Sequence, residues 1–161
     1  MAENAAPVPP RRPRWVRRIL LGLLAVFALI QAVPYGRHHV NPPVVKEPAW
    51  DSPATRAFAV RACFDCHSNE CRWPWYSHIA PASWFVQSHV EEAREELNFS
   101  EFQKTQKHAR KAAEEVEEGE MPLTSYVLIH RDAKLTDAER AEFVKGLKAT
   151  FGSDEKEEKG K

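Results

Sequence analysis

Sulfur and imidazole chemistry concentrate at five consecutive positions of this 161-residue chain, Cys63-Phe64-Asp65-Cys66-His67. On one helical turn, residues three apart share a face. Two thiols so placed can meet the two vinyl groups on one edge of a porphyrin. The histidine four residues after Cys63 then points its imidazole at the iron from the same side, and the thioethers hold the ring even when the axial bond breaks. The Cys-x-x-Cys-His spacing is the attachment signature for c-type haem. One covalent haem c on Cys63 and Cys66, with His67 as proximal iron ligand, is the chemistry implied.

Zinc is the rival. Cys63, Cys66 and Cys71, with His67 or His78 as fourth ligand, make a tetrahedral donor set on paper. A small zinc module, however, is complete without the long helical remainder of this chain. A thioredoxin-like pair needs a strand-helix-strand context that is missing here. Three cysteines do not make a disulfide framework. Cys71 is left as a spare thiol, able to pair wrongly with Cys63 or Cys66 before haem arrives.

The second axial position draws on few side chains. Of the two methionines, Met1 lies before the apolar segment and Met121 stands in Gly-Glu-Met-Pro, on a loop stiffened by Pro122. A thioether there reaches the far face of the haem and raises its potential relative to two imidazoles. The alternative for Met121 is a gap-filling core role. His89 is the alternative distal ligand and His130 follows it; His108 reads as surface and His78 as a local hydrogen-bonding residue. Trp73, Trp75, Tyr76, Trp84 and Phe85 read as pocket wall or plain core.

The elements that must position these groups are helical throughout, and the fold class is all-α: a small c-type cytochrome-like domain around one haem. Ser52 is an N-cap with Pro53 at the first helical position, opening a helix that runs to Cys63. A second helix covers about 83–97, with Val86, Val90, Ala93 and Leu97 on one stripe. Ser100 and Gln103 suggest a capping box for a third, with Phe102, Thr105, Ala109, Ala112 and Val116 inward and Gly119 as its stop. A short turn of helix fits 125–131. Thr136 and Glu139 cap a last helix with Val144, Leu147 and Phe151 inward, ended by Gly152.

Before this domain come three distinct stretches. Five arginines against Glu3 leave the first eighteen residues at +4, so the zero overall balance requires −4 further on. That mildly acidic remainder argues against nucleic acid, which needs a basic face. Residues 1–18 read as a basic cytoplasmic segment. Residues 19–35 read as a transmembrane signal anchor, built on the uncharged run Ile19–Val33 and flanked by Trp15 and Tyr35. That run is longer than a typical signal-peptide core and shorter than a typical span. Ile30 at the −3 position of the best cleavage site disfavours removal. The positive-inside bias places the rest on the periplasmic, extracytoplasmic side of the inner membrane. Residues 36–50, with Pro42, Pro43 and Pro48, read as an extended linker in which His38 and His39 are solvated bystanders. The haem-binding domain covers 51–152, and 153–161 is a charged, disordered tail.

These residues resemble a bacterial haem-binding domain family of short, membrane-anchored proteins with one c-type haem site. The match runs through CFDCHSNE at 63–70, PWYSHIAPASW at 74–84, HVEEAREELNFSEF at 89–102 and EEGEMPLTSYVLIHRDAKLTDAE at 117–139, with PYGRHHVNPPV at 34–44 as the linker. The resemblance implies that Cys63 and Cys66 are attachment sites, His67 the proximal ligand and Met121 the distal candidate. Cys71 and Ala93 depart from the family's usual residues. Four functions then compete: a membrane-held one-electron carrier serving redox partner proteins, a haem-based sensor, a peroxidase and a structural zinc protein. A single Cys-x-x-Cys-His counts against the two-haem type of peroxidase.

Overall fold

The computed structural model describes residues 13–152. The tail expected over 153–161, and most of the basic segment over 1–18, lie outside the described residues. Seven α-helices run in order: α1 (Arg14–Ile30), α2 (Pro53–Ala62), α3 (Phe64–His67), α4 (Ala82–Glu96), α5 (Ala112–Glu118), α6 (Thr124–Ile129) and α7 (Asp137–Phe151). Single 3-10 turns at Trp75–His78, Ala109–Lys111 and Arg131–Ala133 join them. Among the described residues there is no strand, as the sequence led us to expect, only one isolated bridge between Lys46 and Glu101.

The core forms where α2 and α5 pack on α7. Ala59, Ala113, Val116, Phe143 and Leu147 are buried there, and Phe58 stacks obliquely on Phe143 at 5.8 Å. A second cluster gathers aromatic rings around Phe99, which meets Trp50 at 5.3 Å, Phe64 at 5.6 Å and Phe151 at 6.2 Å. Offset and tilted ring pairs at these separations add to the area they bury. The cluster ties the residue after Cys63 to α7 and to the segment before α2.

The helix ends follow their signals where those signals are local. Ser52 Oγ accepts from Thr55 N at 3.2 Å with Pro53 at the first position. Thr136 and Glu139 form the reciprocal capping box that opens α7. Gly119 ends α5 at φ +82°, a conformation that glycine adopts without a Cβ penalty.

Three expectations need correction. The capping box read at Ser100 and Gln103 does not form. The Ser100 hydroxyl is buried and accepts from Asn69 N at 2.9 Å, and the Ser100 carbonyl accepts from Val45 N and Lys46 N at 2.9 and 3.1 Å. With those groups committed to distant partners, residues 100–108 form turns, and helical structure begins only at Ala109.

The linker over 36–50 is not a free spacer. Prolines keep it out of a helix, yet it lies along the domain. Asn41 donates to the Cys71 carbonyl at 2.8 Å, Arg94 donates to Asn41 and the Val40 carbonyl, and Glu47 forms a two-point pair with Arg56 at 2.6 and 2.7 Å. The Arg56 guanidinium holds the Glu47 carboxyl below its ordinary range. His39, read as a bystander, stacks on Trp73 at 4.4 Å and donates from Nε2 to the Ser77 carbonyl at 3.0 Å.

The third correction concerns the transmembrane helix over 19–35. Helix α1 stops at Ile30, and Gln31 leaves the helix to exchange two hydrogen bonds with the Ala80 backbone at 2.9 and 3.0 Å. Arg37 donates back to the Gln31 carbonyl. The apolar part from Ile19 to Ile30 therefore rises only about 18 Å at ~1.5 Å per residue, against the ~30 Å of a bilayer's hydrocarbon core. No helix among the described residues is long and apolar enough to cross a membrane. No residue of α1 is buried.

The approach of α7 to α2 is set by one small residue. A Cβ placed on Gly146 would sit 2.0 Å from the hydroxyl and 2.9 Å from the Cβ of Thr55, itself buried. Gly146→Ala is therefore expected to force the two helices apart and to destabilise the fold by about 1–3 kcal/mol, the usual cost of overpacking. Urea denaturation measures it, and an unchanged midpoint would refute the close contact.

Candidate functional site

The Cys63–His67 turn is built from the end of one helix and the start of another. Cys63 closes α2 by donating its N–H to Ala59 O at 2.8 Å, then bends to φ −127°, ψ −32°. Its own carbonyl accepts from Cys66 N at 3.1 Å and His67 N at 2.9 Å, so the five positions wind into one tight turn. Phe64, directed into the aromatic cluster, pins the turn from behind. Cys63, Cys66 and His67 all face a single cavity of about 430 Å³, within the ordinary range for a ligand pocket.

His67 is oriented by the end of α4. Its Nδ1 lies 3.0 Å from both the Ala93 and Leu97 carbonyl oxygens at the C-terminal end of that helix, where Ala93 O also accepts from Leu97 N at 2.9 Å. Carbonyls only accept, so Nδ1 carries the proton and Nε2 is left as a bare lone pair. Desolvation also lowers the imidazole's pKa, which keeps the ring neutral. A neutral imidazole with its second nitrogen tied to backbone oxygen is the arrangement that metal-ligating histidines use. Helix α4 also tethers the next stretch of chain: Arg94 Nε donates to Ser68 O at 2.8 Å, and Phe99 N, just past the helix, donates to His67 O at 2.8 Å.

The thiols are held in their neutral form. Desolvation pushes Cys63 up to about 12 and Cys66 up to about 11. Cys71 lines a side cavity rather than the one that holds Cys63 and His67, and His78 packs edge-on against His39 at 4.3 Å. Among the described residues no group of three or more His, Cys, Asp or Glu is placed to hold a metal ion. The four-donor zinc set is not assembled. A haem asks less of the protein, namely two thioether points and one or two axial donors.

Met121 joins the same cavity from the loop between α5 and α6, half-buried against the core, with its N–H donating to Glu115 O at 3.0 Å. Helix α4 lines the cavity with His89, Glu92, Ala93 and Glu96, and the segment that enters α6 lines it with Met121, Pro122, Leu123 and Tyr126. His89 therefore stands on the helix that already orients His67, and its Nδ1 donates to the Phe85 carbonyl at 2.8 Å. His108 and Lys111 are the basic groups besides His67 and His89 along the cavity, among Glu92, Glu96 and Glu115; His108 pairs with Glu96 at 3.2 Å. His130 is not brought to this cavity at all.

Sequence reasoning missed Asp65. As the second variable position of the turn it carried no expectation, yet it is buried and anchors the turn's outer side. It accepts from Arg72 N, Nε and Nη2 at 3.1, 3.0 and 3.1 Å, and from Tyr126 OH at 2.6 Å. Desolvation, then that hydrogen bond, raise the Tyr126 pKa, so the phenol stays a donor. The carboxylate thereby couples the cysteine turn to α6 across the cavity. Tyr126→Phe removes one hydrogen bond to a charged acceptor and is expected to destabilise the protein by about 1.5–3 kcal/mol, read by chemical denaturation. A variant as stable as the parent would break the coupling.

Neither a curated protein nor a solved structure matches the chain. A family model described as a haem-binding domain matches residues 25–149, from within α1 almost to the end of α7, and takes in every residue of the cavity. The chain belongs to the haem-binding domain family, and haem is its cofactor.

Proposed function

We propose that the protein carries one haem c, bonded through Cys63 and Cys66, and works as a one-electron carrier held at the extracytoplasmic face of the inner membrane. The observation that carries this reading is the fixed tautomer of His67. Two carbonyls hold the Nδ1 proton, and Nε2 is presented to the cavity that both thiols share. When bound, the haem supplies reversible one-electron chemistry at iron. The chain's own contribution is to hold and screen it. Cys63 and Cys66 secure one edge of the ring. Lys111 and His108 are the available partners for its carboxylates. Ala62, Leu97, Val116, Leu147 and Phe143 supply apolar wall that excludes water.

Met121 would be the second iron donor in this reading because it lines the cavity from the loop between α5 and α6, whereas His89, the alternative, stands on α4, the helix that already holds His67. An iron with both axial positions filled exchanges electrons without binding substrate, which favours a carrier over a peroxidase or a gas sensor. Redox partner proteins are the implied donors and acceptors. Membrane attachment rests on α1, whose apolar side chains from Ile19 to Leu29 are exposed around the helix. Such an all-round apolar surface belongs in lipid or against protein.

Expressed with haem-maturation machinery, the full chain should sediment with membranes and retain a haem stain after denaturing electrophoresis. Cys63→Ser or Cys66→Ser should weaken that stain, and the double substitution should abolish it. A colourless parent chain would end the covalent reading. Met121→Ala should lower the reduction potential and open the ferrous iron to carbon monoxide, both followed spectroscopically. A variant with the parent's potential and no carbon monoxide response would remove Met121 as the axial donor.

A further inference from the structure

A second cavity, of about 290 Å³, lies beside the first and shares Asp65, Cys66, His89, Leu123 and Tyr126 with it. Tyr76, Arg72, Phe85, Ile129 and His130 line this side cavity alone. Helix α4 contributes Phe85, Val86 and Val90 to its lining, and α6 contributes Tyr126 and Ile129. Arg72, Asp65, His89 and Ser125 add polar lining, and two further groups pair: Tyr76 OH lies 2.8 Å from His130 Nε2, and the His130 ring stacks on Tyr126 at 4.3 Å and 17°. Its rim is greasy. Phe85 is 65 % exposed and Ile129 66 %, with Trp75 at 76 % and Leu128 at 73 % alongside in sequence.

We propose that this side cavity binds the head group of a lipid-soluble quinone or quinol. The proposal deepens the electron-carrier reading and takes its purpose from it. Three observations converge. The lining is largely apolar, with Phe85, Val86 and Val90 from α4 and Leu123 and Ile129 from the α6 segment, as the ring of a quinone requires. The Tyr76–His130 pair can serve either oxidation state. With His130 Nε2–H donating to the phenol, the Tyr76 proton is free for a quinone carbonyl. With the phenol donating to Nε2, the Tyr76 oxygen is free to accept from a quinol hydroxyl.

The third observation is position. The apolar helix α1 is fastened by Gln31 to the backbone of Ala80, two residues after the turn that carries Tyr76. Ile79, next to that fastening, is itself exposed. Exposed apolar side chains thus lie both at the cavity and at the point where α1 is fastened. A ligand with an isoprenoid tail can leave its tail on these side chains while its ring enters the cavity. Cys66, common to both cavities, places the bound ring beside one of the proposed haem attachment points.

The test uses the haem-loaded full chain in detergent and a decyl-tailed, fully substituted benzoquinone, which has no free ring position for Cys71 to attack. Calorimetric titration should show saturable one-to-one binding. Tyr76→Phe and His130→Ala should each weaken it about tenfold, the weight of one desolvated hydrogen bond, with haem content and circular dichroism unchanged. Binding that is absent, unsaturable, or indifferent to both substitutions overturns the proposal, because the quinone then only partitions onto apolar surface. So does binding seen in haem-free protein and lost on haem loading, since the cofactor then fills the cavity. If the chain takes up no haem, the carrier reading fails. Saturable binding that still depends on Tyr76 and His130 would keep the ligand site.

Discussion

The hydrogen bonds from His67 Nδ1 to the carbonyls of Ala93 and Leu97 are the constraint around which the domain is arranged. They require α4 to end beside the cysteine turn, with its last acceptors turned to the imidazole rather than to water. Much of the remaining architecture serves that meeting. Phe99 N, just past the end of α4, bonds back to His67 O, and Arg94 reaches Ser68 O. The buried amides of Asn69 and Asn98 bond each other at 2.9 Å beneath the same junction. An imidazole positioned through backbone oxygens is insensitive to side-chain substitution in α4. It is sensitive to anything that shifts where that helix stops.

On the opposite side the turn is held by charge. Asp65 gathers Arg72 and Tyr126, so the two cysteines sit between a backbone clamp and a carboxylate clamp. Arg72 is largely exposed, and its pair with Asp65 adds little by itself in water. The Tyr126 contribution is greater because its phenol is shielded within the wall of both cavities.

What could be read from the sequence divides along a physical line. The Cys63–His67 turn was legible because its spacing alone puts two thiols and an imidazole on one helical turn. The caps at Ser52 and Thr136, and the glycine stop at Gly119, were legible because each is closed within a few residues. Ser100 misled because its hydroxyl obeys the same local pattern yet bonds Asn69, thirty-one positions away. The carbonyls that orient His67 left no trace, since backbone oxygens are present at every residue. Asp65 looked like a free position because its partners, Arg72 and Tyr126, are separated from it by seven and sixty-one positions. The apolar segment was recognised correctly as apolar, but the point where α1 ends depends on Gln31 finding the Ala80 backbone.

The segment between α1 and α2 acts as a strut. Its prolines forbid a helix, and Asn41, Val45, Glu47 and Trp50 fasten it at intervals to the domain it precedes. A slack tether lets a domain sample a wide volume around its anchorage. This one fixes both the standoff and the tilt of the haem cleft relative to α1. Residues inserted into this stretch would have to bulge out between those fastenings before they altered how α1 sits on the domain.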